Sequence, residues 1–129
     1  MDERLTPKER IRKRKEFYNL YKKGERISSK YLSAIYYPNN LGFSRLGISV
    51  NKNFGKAVKR NKAKRWIREL FRRNKQLFTV PLDILFFPKK SILETNWKEL
   101  QEDYKNLISS ICVKVKENEE DCIRVNKIL

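Results

Sequence analysis

The chain has 129 residues and carries 31 Lys+Arg against 15 Asp+Glu, a formal net charge of +16, with no histidine. That composition excludes imidazole bases, Ser-His and Cys-His nucleophile pairs and His-bearing metal sites. Two cysteines exclude a four-cysteine zinc site within one chain. The length suits one domain, and 40% hydrophobic residues with 12% aromatics argue against full disorder. Cys112 and Cys122 are too few for a disulfide framework and read as free thiols in a reducing compartment. No run approaches the ~20 apolar residues of a membrane span, and Met1–Arg4 lacks the apolar region of a signal peptide. A cytoplasmic protein is expected.

The charge is uneven. Residues 1–75 hold 23 Lys/Arg and 6 Asp/Glu, whereas residues 76–129 hold 8 and 9. A surface charged only for solubility would mix signs more evenly, so a polyanionic partner is expected, nucleic acid rather than membrane.

In chain order, Thr6-Pro7-Lys8-Glu9 reads as a helix start with a capping box. The helical signal begins there, or only near Lys13, and stops at Gly24, a suitable residue for a left-handed helix end. Phe17 and Tyr21, four apart, share a face, while Leu20 and Ile11 lie elsewhere around the cylinder. Residues 31–37 read as a strand with Tyr31, Ser33, Ile35 and Tyr37 on one face and Leu32, Ala34 and Tyr36 on the other. Residues 45–50 form a second strand: Leu46, Ile48 and Val50 point one way, Gly47 and Ser49 the other. That thin Gly/Ser face either admits a bulky ligand or receives a packed helix.

Residues 56–73 carry nine Lys/Arg and one acid, Glu69, yet keep helical periodicity. Ala63, Trp66, Ile67, Leu70 and Phe71 make an apolar stripe. Arg60, Lys64, Arg68 and Arg72 step along a neighbouring face, with Asn61 and Arg65 beside them. Leu82–Phe87 is a continuous apolar run bounded by prolines, which reads as a buried strand. Asn96 with Glu99 caps a last helix whose apolar face is Trp97, Leu100, Tyr104, Leu107, Ile108 and Ile111. Residues 112–129 read as a loosely ordered extension of a domain spanning 1–111, with a short added strand or helix as the alternative. The order helix, strands, basic helix, strand, helix is α+β, with the basic helix connecting two strands.

The basic helix reads as a phosphate-tracking rod, since a helix meant only for solvent would intersperse Glu to relieve like-charge repulsion. Phe17, Tyr21 and the strand face at 31–37 either stack unpaired bases or belong to the core. No catalytic set emerges. Asp83 and Glu69 are the carboxylates best placed for Mg²⁺, although each also suits an ion pair.

The segment from Arg45 to Arg72 resembles the protein component of bacterial ribonuclease P, most specifically at Lys56-Ala57-Val58-Lys59-Arg60-Asn61-Lys62-Ala63-Lys64-Arg65, the family's Arg-Asn-Arg helix. The likeness extends over about residues 4–111. Lys62 stands at the motif's last Arg, Asn53 where a second basic residue is common, and Ile35 where a Tyr can occur.

The resemblance implies an α-β-β-β-α-β-α sandwich with a third strand near residues 26–29 and a left-handed βαβ crossover. It implies the protein subunit of a ribonucleoprotein that removes the 5′ leader of precursor tRNA, with catalysis and Mg²⁺ belonging to the RNA subunit. The implied partners are ribonuclease P RNA and precursor tRNA, with neither a membrane nor a small-molecule substrate. By position, Lys52, Lys56, Arg60, Asn61, Lys62, Lys64, Arg65, Arg68 and Arg72 would contact the RNA subunit. Phe17, Tyr21, Ser33, Ile35, Tyr37 and Lys90 would form the leader cleft. A structural ribosomal RNA-binding protein is the alternative with equal charge and size. A protein-only metal nuclease would need clustered acids that the basic half hardly offers.

Overall fold

The computed structural model describes the backbone of residues 7–128 and the side chains of residues 7–117. Seven regular elements follow in order: α1 (Arg14–Lys23), β1 (Glu25–Ser28), β2 (Leu32–Pro38), β3 (Arg45–Ile48), α2 (Ala57–Arg73), β4 (Leu82–Pro88) and α3 (Trp97–Ile128). The four strands form one mixed sheet in the order β1-β2-β4-β3. β1 with β2 and β2 with β4 are antiparallel, while β3 and β4 run parallel and are joined through α2.

Both faces of the sheet are covered, and β4 shows why its sequence, Asp83 apart, is apolar throughout. Ile84 and Phe86 enter the larger core beneath α2 and α3, while Leu85 belongs to a smaller cluster with Ile11, Leu20 and Ile35 under α1, to which Phe17 and Phe87 add. A strand buried on both sides loses the alternation that marks a half-exposed one. Leu32, Ala34 and Tyr36 point into the larger core. Tyr31 departs from the face expected of it. It precedes β2, is buried in the larger core, and its hydroxyl donates to Glu99 Oε2 at 3.0 Å.

The basic helix forms despite its charge because its other face is core. Ala63, Ile67, Leu70 and Phe71 are buried. Each large apolar side chain so placed contributes about 1.5–3 kcal/mol, against some tenths for each like-charge pair. α3 begins as expected, with the Glu99 amide donating to Asn96 Oδ1 at 2.9 Å. It does not end at 111. The helix continues through Cys112 and Val115, both buried in the larger core, and its backbone runs on to Ile128. Cys112 and Val115, four and seven positions after Ile108, prolong the apolar stripe, which the mixed charges around them concealed. Cys112 is a free, buried thiol; the side chain of Cys122 lies outside the described residues.

The N-terminal segment also differs. Pro7–Glu9 is a 3-10 turn, and the helix starts only at Arg14; Thr6 lies outside the described residues. Between them the chain runs along the outer edge of β3, where Arg10 bridges Leu46 and the Ile11 amide donates to Leu46 O at 2.8 Å. Covering a sheet edge satisfies backbone groups that a longer helix would leave open. Gly24 is not a left-handed cap: its φ is −73°. A side chain there would meet Ile35 Cγ2 at 2.5 Å and Leu20 O at 2.6 Å, so close packing requires the glycine.

Candidate nucleic-acid interface

Two surfaces stand out on this frame. The first is the outer side of α2. Lys56, Lys59, Asn61, Lys62, Arg65 and Arg68 are exposed, and Arg60 and Lys64 are half-buried. The Lys62 ammonium lies 4.8 Å from the Trp66 ring, and Arg60 Nε is buried without a hydrogen-bond partner among the described residues. Arg72 differs from the others. Its Nη2 donates to Glu69 Oε2 at 2.7 Å and its Nε to Oε1 at 3.2 Å, while Arg73 Nε donates to the same carboxylate at 2.8 Å. These bonds, Arg72's foremost, hold the Glu69 carboxyl below its ordinary range. The cationic stripe therefore ends near Arg68. Lys52 is exposed in the 3-10 turn Lys52–Phe54 just before α2.

The second surface is a cleft of about 420 Å³ between α1 and the β1–β2 edge. Tyr21, Ser33 and Ile35, three of the six residues assigned to it by resemblance, line it together. Phe87 and Arg26 are among its further lining residues. Phe87 pairs with Ser33 in the sheet register and sets its ring 6.0 Å from that of Tyr21. Arg26 lines the cleft from β1. The continuous apolar run hid which β4 residues face α1, and a four-residue strand of Glu, Arg, Ile and Ser carries almost no pattern.

The other three assigned residues do not line this depression. Phe17 is half-buried against the α1-side cluster and lines a separate groove of about 210 Å³ with Gly47, Arg10, Lys64 and Arg68. The thin Gly47 face is thus filled by a helix residue: a Cβ there would meet Phe17 Cε1 at 2.9 Å. Tyr37 is exposed near Arg45 and Asp83, at a third depression. Lys90 lies with Lys59 and Lys62 on the α2 side. Helical spacing had joined Phe17 to Tyr21, but Phe17 rolls toward the β3 edge, where glycine leaves room.

Neither carboxylate considered for metal is uncommitted. Asp83 accepts from Arg45 Nη2 at 2.6 Å and Glu69 is held as above. Among the described residues no group of three or more acids and cysteines could hold a metal ion.

A basic helix and a separate apolar cleft on this fold have counterparts among known proteins. A family model described as Ribonuclease P covers residues 5–112. The chain belongs to the ribonuclease P protein family. It is 40% identical over 115 residues to the ribonuclease P protein component of Thermotoga sp. strain RQ2, covering 86% of this chain and 98% of that one. The solved ribonuclease P protein from Thermotoga maritima superposes with a TM-score of 0.73 at 37% identity, covering 79% of this chain and 96% of that one. That from Staphylococcus aureus gives 0.71 at 31% identity, covering 80% and 94%. The expected α+β sandwich is therefore the ribonuclease P protein fold. The chain's role is that of the protein component of ribonuclease P, a tRNA-processing endoribonuclease, and the ribosomal alternative is not favoured. No helix among the described residues is long and apolar enough to cross a membrane.

Proposed function

We propose that this ribonuclease P protein binds the catalytic RNA through the outer side of α2 and the 5′ leader of precursor tRNA in the cleft between α1 and the β1–β2 edge. The observation that carries this is the pairing of a helix whose cations from Lys56 to Arg68 have no ion pair among the described residues with a separate cleft walled by Tyr21 and Phe87. Arg guanidinium forks grip phosphates in two-pronged fashion and Asn61 offers both a donor and an acceptor, while aromatic rings stack on unpaired bases. Lys52, Lys56, Arg60, Asn61, Lys62, Lys64, Arg65 and Arg68 form the RNA-subunit surface on this reading, with Arg72 marginal because Glu69 already engages it. Tyr21, Ser33, Ile35 and Phe87 form the leader cleft.

Hydrolysis then belongs to the RNA subunit with Mg²⁺. The protein contributes binding, orientation and neutralised phosphate charge, which favours assembly when Mg²⁺ is scarce. The complex is expected in the cytoplasm. Reconstitution with a bacterial ribonuclease P RNA at low Mg²⁺ tests the proposal. Leader removal should need both components; cleavage by the RNA-free protein would refute it.

A further inference from the structure

We propose that Arg26 is a phosphate-binding residue of the cleft, contacting a phosphodiester of the bound leader so that the cleft senses backbone charge as well as stacked bases. The inference rests on the leader being bound there.

The sheet register places Arg26 on the α1 side. Arg26 pairs with Ile35 and Ile35 with Leu85, and paired residues share a face, so Arg26 stands in line with the cleft floor. The next paired positions are Ser28, Ser33 and Phe87; the two serine hydroxyls lie 3.2 Å apart and Phe87 faces Tyr21. The cleft thus presents rings, hydroxyls and one guanidinium side by side.

Arg26 is also uncommitted. Among the described residues no carboxylate pairs with it. Its neighbour Glu25 points to the opposite face, where it accepts from the Tyr36 hydroxyl at 3.0 Å. Arg45 and Arg72, by contrast, are held by acids. β1 is an edge strand with a single strand neighbour, so that cation faces an open groove. A charged edge residue can also serve only to deter strand pairing between molecules, but that role would not distinguish one RNA from another. An aromatic platform flanked by a cation is the arrangement that tracks single-stranded nucleic acid.

The test uses the reconstituted protein–RNA complex with precursor and mature tRNA, and the variants Arg26→Ala, Arg26→Lys and Tyr21→Ala. Arg26→Ala should weaken precursor binding roughly tenfold at low salt. It should lower the precursor salt slope by about 0.7 and leave mature tRNA and the melting temperature unchanged. Arg26→Lys should restore the slope. If Arg26→Ala affects both tRNAs equally, or leaves the slope intact while Tyr21→Ala still impairs precursor binding alone, the Arg26 proposal is wrong and the cleft assignment stands. If neither variant separates precursor from mature tRNA, the cleft assignment fails and the proposal with it.

Discussion

Arg45 grips Asp83 through two nitrogens, Nε at 2.8 Å from Oδ1 and Nη2 at 2.6 Å from Oδ2, while its Nη1 reaches Glu16 Oε1 at 3.2 Å. One guanidinium thereby ties β3, β4 and α1 together. The pair is partly shielded from water, with side-chain exposures of 18% and 17%. Arg45→Met removes the cation and leaves two acids facing one another, which should cost about 2 kcal/mol in denaturant unfolding, below the 3–5 typical of a fully buried pair. A loss under about 0.5 kcal/mol would equate this link with an ordinary surface ion pair.

Arg65 and Arg72 lie two turns apart on one helix but in different electrostatic company. Arg65 is exposed and has no ion pair among the described residues, whereas Arg72 donates twice to Glu69. Arg65→Ala should lower the salt slope of RNA-subunit binding by about 0.7–0.9. Arg72→Ala should leave it nearly unchanged. Equal slopes for the two variants would contradict the assignment of the stripe.

The two glycines that face α1 are steric requirements. Gly24→Ala drives a Cβ toward a carbonyl oxygen at 2.6 Å, which can move only with the backbone, whereas Gly47→Ala meets the Phe17 ring edge at 2.9 Å. Overpacking costs about 1–3 kcal/mol, and Gly24→Ala should stand at the upper end. The smaller side chain of Phe17→Leu should partly rescue Gly47→Ala and do nothing for Gly24→Ala. Chemical unfolding of the four variants decides it.

Burial, aided by hydrogen bonding to Glu25, pushes the Tyr36 phenol up to about 12. The folded protein thus keeps a proton that the unfolded chain releases near pH 10. Stability from this group is complete below about pH 10 and is lost as pH rises to about 12. The stability advantage of the native chain over Tyr36→Phe should therefore shrink across that window. A constant difference from pH 8 to 12 would refute the linkage.

Concentrated positive charge should also make the free protein sensitive to anions. Millimolar sulfate or phosphate, binding the folded α2 face, should raise Tm with a saturating dependence. Chloride at matched ionic strength should do less. An identical Tm in all three salts would show that like-charge repulsion on α2 is immaterial.

Three elements were legible from sequence: α2 by its apolar stripe, α3 by Asn96 and the spacing from Trp97 to Ile111, β4 by its apolar run from Ile84 to Phe87. The departures have local causes. Residues 10–13 gave up helix to cover the β3 edge, a tertiary demand that capping residues cannot announce. Cys112 and Val115 carry the α3 stripe onward among charges that masked it. At the candidate site, Tyr21, Ser33 and Ile35 converge as expected. Phe17 sets its ring against Gly47 while packing on the same α1-side cluster as Ile35, and Phe87 and Arg26 join through strand register, which pairwise spacing in one segment does not encode.

The double burial of β4 has a consequence for how such a protein can change. Leu82, Ile84, Leu85 and Phe86 are almost wholly enclosed, so altering any of them disturbs the packing before it tunes a ligand. β1 has three exposed residues of four and borders the same cleft from the rim. Divergence between lineages, or a laboratory library meant to shift leader preference, has its freedom at positions 26 and 28 and on the outer turns of α1, while the strand beneath stays fixed.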